Sequence, residues 1–361
     1  MAEFVLPQAL GDPVREMVTE EGLLSPNGRR KLGLDAEKLT DLFRKMVQIR
    51  RIDQEALNLQ RQGELGLWGQ FLGQEAVHVG AAEALRPSDW IFPSYREFGM
   101  AMCRGIDPVE MLAIFRGLVH GAWNPTTYRF APFVIPVGTQ VPHAVGFAMG
   151  CRFDGSRDAV LVTFGDGATS TGDWHEAMNF AGVFRAPIVF LCQNNQWAIS
   201  VPLRKQTAGS IAERAVGYGF PGTRIDGNDI LTVFASVRSA VERARGGEGP
   251  YLIEAVTYRL GAHTSADDPT RYRSDTELEE WKARDPIKRY EAWLKNEGIM
   301  DESQSEVIRA EAASLAEKVR IALRSAPVPD AATTLFDHVY ERPPRGFEAE
   351  RDEFASSLES P

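Results

Sequence analysis

Apolar positions recur at helical spacing from Asp35 onward, where Leu39, Leu42, Phe43 and Met46 fall on one stripe. Similar patterns predict helices over Gln74–Leu85 and Pro108–Leu118. The stretch Asn124–Pro142 holds Pro125, Pro132, Pro136 and Pro142 among several aromatics, which predicts irregular chain. Past it the pattern changes. Ala159–Phe164 (AVLVTF), Pro187–Cys192 (PIVFLC) and Leu252–Tyr258 are apolar runs of strand length. Between them lie the helical patterns Asp173–Phe184 and Ile230–Ala244, the second with Ile230, Phe234, Val237 and Val241 inward and Gly246-Gly247 behind it. Continuous apolar strands separated by helices predict an α/β fold, a doubly wound and mostly parallel sheet with helices on both faces. Beyond Ser274 the chain becomes helical and charged. The expected division is an N-terminal arm over 1–34, an α/β domain over 35–274 and a helical C-terminal extension and tail over 275–361.

Composition narrows the function. Forty Lys and Arg against fifty Asp and Glu leave a net charge of −10, so binding to a nucleic-acid backbone, which needs a basic face, is not expected. No run approaches the about 20 apolar residues of a membrane span. The opening residues lack a basic stretch followed by an apolar one, and Cys103, Cys151 and Cys192 show no CxxC spacing. Both features suit a cytoplasmic chain with reduced thiols.

The chemistry is expected at the carboxyl ends of the strands, where ligands bind in open parallel sheets. The first strand runs into Gly165-Asp166-Gly167, and the next ends at Asn194-Asn195. One carboxylate and one carboxamide facing a small volume form a hard oxygen set that suits Mg²⁺ shared with phosphate oxygens. The glycines beside Asp166 allow close backbone approach to a diphosphate, and the next helix offers its N-terminus to the same anion. Alone, GDG is an ordinary turn. A magnesium-dependent phosphohydrolase would use a second nearby carboxylate, which GDGATS lacks.

GDGATSTGDWHEAMNFAGVFRAPIVFLCQNN resembles the thiamine diphosphate motif, which opens at GDG and closes at NN. More widely, residues 36–345 resemble the α subunit of the first component of 2-oxo acid dehydrogenase complexes, of the pyruvate and branched-chain types. The segments FLGQEAVHVGAA, FPSYREFG, IPVGTQVPHAVGFAMG, NNQWAISVP and YRLGAHTSADDPTRYRS carry that resemblance. It implies the thiamine diphosphate-binding fold, with thiamine diphosphate and Mg²⁺ as cofactors. It makes Asp166, Asn195 and the carbonyl of Trp197 metal ligands. Gly165, Gly167, Ala168, Tyr95, Arg96 and His263 would contact the cofactor, and Ile135 and Val137 would support its aminopyrimidine. Ser94 stands where some relatives have Gln, Gln193 where some have Arg, and Ala262 where a second His can occur. Thr264 follows where some relatives carry a phosphorylated Ser, so phosphorylation is not implied. His120 receives no catalytic role.

The resemblance further implies oxidative decarboxylation of a small 2-oxo acid, pyruvate or branched-chain. Reductive acylation of a lipoylated dihydrolipoamide acyltransferase would follow, with His263 as the catalytic residue of the loop Arg259–Arg273. Relatives place acids at Asp173 and Glu176 in a channel between two active sites; a solvated first helical turn is the alternative. Too few residues remain for a second doubly wound domain, so the pyrimidine-binding domain and its glutamate are expected from a β subunit, in a two-α, two-β heterotetramer. Gly146 and Gly150 in PHAVGFAMG would let a neighbouring helix approach. The rival readings are an acetoin-cleaving relative and a catalytically inactive structural subunit.

Overall fold

A computed structural model describes residues 32–119, 121, 123–337 and 339–358. Residues 1–31 of the expected arm and His120 lie outside the described residues. The first helix, α1 (Ala36–Arg61), begins where the Asp35 carboxylate accepts from Lys38 N at 2.8 Å, a cap that contributes about 1 kcal/mol. Its stripe of Leu39, Leu42, Phe43 and Met46 is buried. Then follow α2 (Glu75–Glu83), β1 (Trp90–Phe92), α3 (Phe98–Cys103), α4 (Pro108–Phe115), α5 (Pro125–Tyr128) and α6 (Gln140–Phe153). The proline-rich stretch thus contains one short helix and the start of another, because Pro142 sits in the first turn of α6, where its missing N–H is harmless.

The alternating part runs β2 (Val160–Gly165), α7 (Gly172–Phe184), β3 (Ile188–Asn194), a hairpin of β4 (Trp197–Ala198) and β5 (Val201–Pro202), α8 (Arg214–Gly217), β6 (Gly222–Asp226), α9 (Ile230–Arg243) and β7 (Tyr251–Val256). The remaining helices are α10 (Asp275–Ala283), α11 (Pro286–Asn296), α12 (Glu302–Ser325), α13 (Ala331–Thr334) and α14 (Phe347–Leu358). Five strands form a parallel sheet in the order β1-β2-β3-β7-β6. Two of them are absent from the apolar pattern. β1 has three residues, and β6 alternates Gly, Thr, Arg, Ile and Asp at the sheet edge.

Side-chain alternation along the strands feeds two cores. Leu161, Leu191, Ile253 and Ala255 join α1, α2 and α9 on one face. Val160, Val162, Phe164, Phe190 and Leu252 join α6 and α7 on the other. The first core continues through Ile287, Tyr290 and Trp293 of α11 and Ile308 and Val319 of α12. Truncating such a side chain costs about 2–5 kcal/mol. Among the described residues, no helix is long and apolar enough to cross a membrane. Parallel register aligns the strand ends, with Gly165 opposite Gln193 and Asn194 opposite Val256. Every turn that carries candidate chemistry therefore leaves the same edge.

Candidate active site

At that edge lies a cavity of about 450 Å³. Its lining includes Tyr95, Arg96, Ile135, Val137, Gly165, Asp166, Gly167, Ala168, Asn195, Trp197 and His263, so the structure brings together all the site residues expected from the sequence. Asp173 and Glu176 are not part of this lining. Both are exposed in the first turns of α7, whose N-cap is Thr171.

Asp166 follows β2 directly and is 1% exposed. Its Oδ2 accepts from Gln206 Nε2 at 2.8 Å. Burial lifts its pKa to about 6, against the opposing pull of that bond. Gly167 is needed for space, since a Cβ there would sit 2.8 Å from the Ala198 Cβ. Asn195 is fixed from both sides, donating from Nδ2 to Gln74 Oε1 at 3.2 Å and accepting at Oδ1 from Trp197 N at 3.3 Å. The hairpin after it turns through Ile199, which holds φ at 54°, and left-handed backbone at a β-branched residue is strained by about 1–3 kcal/mol. That turn aims the carbonyls of Trp197 and Ile199 at one guanidinium, Arg259, with bonds of 3.2 and 2.8 Å. Among the described residues no three His, Cys, Asp or Glu side chains gather as a metal site. The available donors are instead one carboxylate, one carboxamide and one backbone carbonyl, a set fitted to a hard cation that keeps outside ligands.

Two arginines line the same cavity. Arg96 and Arg259 are 5% and 1% exposed. Arg96 donates to the carbonyls of Gln70 and His263, the latter at 2.9 Å. Among the described residues, neither arginine forms an ion pair with a carboxylate. Both reach His263 Nδ1, at 3.3 Å from Arg96 and 3.2 Å from Arg259. These two donors require Nδ1 to accept, which leaves the imidazole proton on Nε2. Burial, then Arg96 and Arg259, hold the His263 pKa down to about 3, so the ring is neutral. Desolvation, then Arg96, also lowers the Arg259 pKa, to about 10. Buried like charges without an anion are unfavourable, and an anionic ligand would relieve them.

The loop Arg259–Arg273 is tied to itself and to the segment before α2. His263 N donates to Asp267 Oδ2 at 2.8 Å, and Arg273 donates to the carbonyls of Arg259 and Leu260 at 2.6 and 3.1 Å. Leu260 N meets Leu72 O at 3.0 Å, and Ser265 N meets Trp68 O at 2.8 Å. Gly73 makes that approach possible: its φ is +95° and a Cβ would lie 2.5 Å from Tyr258 O. Sequence reading assigned no role to Arg259, Gln206, Gln70 or Gln74. The glycine before Gln74 in FLGQEA was the one signal for that segment. Gln206, in an irregular stretch far along the chain, carried none.

Comparison with known proteins now decides the family. The model described as dehydrogenase E1 component matches residues 44–331. The chain belongs to that family. It is 48% identical over 350 residues to the 3-methyl-2-oxobutanoate dehydrogenase subunit alpha of Mycobacterium tuberculosis, covering 96% of this chain and 94% of the relative. It is 38% identical over 331 residues to the 2-oxoisovalerate dehydrogenase subunit alpha of Bacillus subtilis, covering 88% and 100%. The pyruvate dehydrogenase E1 component subunit alpha of Bacillus cereus is 38% identical over 330 residues, covering 91% and 88%. The chain is an E1 α subunit of a 2-oxo acid dehydrogenase, of pyruvate or branched-chain type. E1 dehydrogenases depend on thiamine diphosphate, and their α subunits work with a β subunit in multienzyme complexes.

Proposed function

We propose that the cavity holds the diphosphate end of thiamine diphosphate through Mg²⁺ on Asp166, Asn195 and the Trp197 carbonyl. The observation that carries this reading is the pair of buried guanidinium groups, Arg96 and Arg259, facing the cavity without a carboxylate partner. A diphosphate supplies the missing anion. Tyr95 and Arg96 contact it from the turn after β1, while Gly165, Gly167 and Ala168 let the backbone come close. Ile135 and Val137, 65% and 50% exposed at the mouth, support the aminopyrimidine. The glutamate that the pyrimidine needs comes from the β subunit, in a two-α, two-β assembly. Bound here, the cofactor supplies the electron sink for decarboxylating a 2-oxo acid. His263, a neutral Nε2–H donor, serves transfer of the acyl group to a lipoylated acyltransferase.

For the substrate we propose a branched-chain 2-oxo acid. The Mycobacterium tuberculosis relative is named for one, and Leu67, Phe115 and Ile199 give the cavity an apolar side. The test is Asp166→Ala in the assembled enzyme, with Mg²⁺-dependent cofactor binding followed by calorimetry. Binding should be abolished while assembly persists, and wild-type affinity would overturn the site. CO₂ release from 3-methyl-2-oxobutanoate should exceed that from pyruvate with the wild-type pair, and the reverse order would overturn the substrate.

A further inference from the structure

One buried carboxylate on the cavity floor has no part in the cofactor contacts above. Glu97 is 1% exposed and is the N-cap of α3, although its side chain does not cap that helix. It turns back instead. Its Oε2 accepts from Ser94 N at 2.6 Å and from Ser94 Oγ at 2.8 Å. Its Oε1 accepts from Gln193 Nε2 at 2.5 Å. Ser94 follows β1 and Gln193 is the penultimate residue of β3, with β2 between the two strands in the sheet. One side chain thus ties together two strand ends that share no strand-to-strand hydrogen bonds.

A carboxylate at this place is electrostatically unhelpful. It is buried beside a cavity built for an anion, and burial pushes its pKa upward, with the bonds from Ser94 and the charge of Arg96 opposing. Geometry supplies a reason for it. The carboxylate gathers three donors, two of them from the residue that opens the Ser94-Tyr95-Arg96 turn. It also sets the orientation of the Gln193 amide: Nε2 is committed to Glu97, and the buried Oε1 is left without a partner among the described residues. Ser94, Tyr95, Arg96 and Gln193 all line the cavity.

We infer that Glu97 is a positioning residue of the cofactor site, locking the Ser94–Arg96 turn and the Gln193 amide in the arrangement that receives the diphosphate. This rests on the cofactor reading above. A carboxylate suits the task because it accepts from all three donors at once. A carboxamide would keep the Ser94 bonds but would meet Gln193 through a hydrogen bond only with the Gln193 amide turned over, so the amide orientation would change.

The test uses the full α chain assembled with its β subunit. Thiamine diphosphate affinity is measured by calorimetry with Mg²⁺ present, and KM for the cofactor is compared with kcat at saturating cofactor. Glu97→Ala should weaken cofactor binding at least about tenfold, as losses of supporting partners around a bound group do. Its kcat at saturation should stay within about twofold, because an interaction that only organises binding moves KM. Glu97→Gln should fall between wild type and Glu97→Ala, and as the near-isosteric variant it decides the matter where the alanine variant does not assemble. Unchanged affinity in Glu97→Gln and in any assembled Glu97→Ala, or a fall in kcat with affinity intact, would overturn the role. Asp166→Ala separates the two ideas. If it abolishes binding while the Glu97 variants bind normally, the positioning role alone fails; if it too binds normally, the cofactor reading fails first.

Discussion

The floor of the cavity and its mouth are built differently. On the floor, Asp166, Asn195, Arg96 and Arg259 are nearly all inaccessible, and each is fixed by hydrogen bonds to neighbouring elements. At the mouth, Leu67, Ile135, Val137 and Ile199 leave 43%, 65%, 50% and 54% of their surfaces to solvent. Strand ends provide the floor, where parallel register fixes each turn to within a residue. Loops provide the mouth, and their apolar side chains face outward together. Isolated exposed apolar residues need no explanation, but a cluster around one opening marks a surface that another body covers. The chain is complete where charge is handled and open where the organic part of a ligand would lie.

The strongest way to break this comparison is to ask the chain to act alone. On the proposed reading, with the diphosphate on the floor and the pyrimidine at the open mouth, the chain without a β subunit should bind thiamine diphosphate weakly and release no CO₂ from any 2-oxo acid. Adding the β subunit should restore turnover. Purified α chain that decarboxylates a 2-oxo acid by itself would show that the mouth is finished and the contrast is false.

The same contrast separates what the sequence disclosed from what it did not. GDG at the end of one apolar run and NN at the end of the next were readable because strand, turn and crossover helix are local patterns with a fixed geometric consequence. Arg259 was visible as a charge in a polar loop, yet its position against the Trp197 and Ile199 carbonyls depends on a hairpin packed beside it. Gln206 reaches Asp166 across an irregular stretch that no periodicity describes. β1 and β6 escaped because a short strand and an edge strand bury too little for an apolar run. The first turn of α7 shows the limit of reading chemistry from residue type. Asp173 and Glu176 are acids at helical spacing behind a Thr171 cap, and their exposure in the single chain suits a water-filled channel and a solvated turn equally. Gly146 of α6 is likewise exposed, and a Cβ at Gly146 or Gly150 would meet nothing within 4 Å.

A smaller effect is expected where floor and mouth meet. His263 touches both buried arginines but belongs to a loop. His263→Ala should impair acylation of the lipoyl partner more than decarboxylation measured with an artificial electron acceptor. Removing the ring deletes an acceptor for two guanidinium groups, which stay anchored through backbone carbonyls. Trypsin should cut the hydrogen-bonded loop Arg259–Arg273 at its exposed Arg271, faster without cofactor than once Mg²⁺ and thiamine diphosphate bind to the assembled enzyme. Equal loss in both assays, with cleavage indifferent to cofactor, would make this loop only a connection.

The smallest effect lies beneath the floor and is read as stability against pH. Asp53 is fully buried, and its Oδ1 accepts from Trp68 Nε1 at 2.8 Å and from Phe71 N at 3.3 Å, which holds the segment leading to Gln74. Its Oδ2 has no partner among the described residues. Burial, partly offset by the Trp68 bond, raises its pKa from 3.8 to about 7. The folded chain therefore prefers this carboxyl protonated, while the unfolded chain ionises it near its ordinary value. The stability tied to the proton is fully present below 3.8 and is lost as pH rises to about 7, by on the order of a few kcal/mol. Asp53→Asn keeps an oxygen for Trp68 and Phe71 but cannot ionise. Its melting temperature should fall less than that of wild type between acidic and neutral pH, and it should be the more stable of the two above neutrality. Parallel melting curves across that range would mean that Asp53 is paired or hydrated in solution, and that the floor is less sealed from the mouth than its geometry indicates.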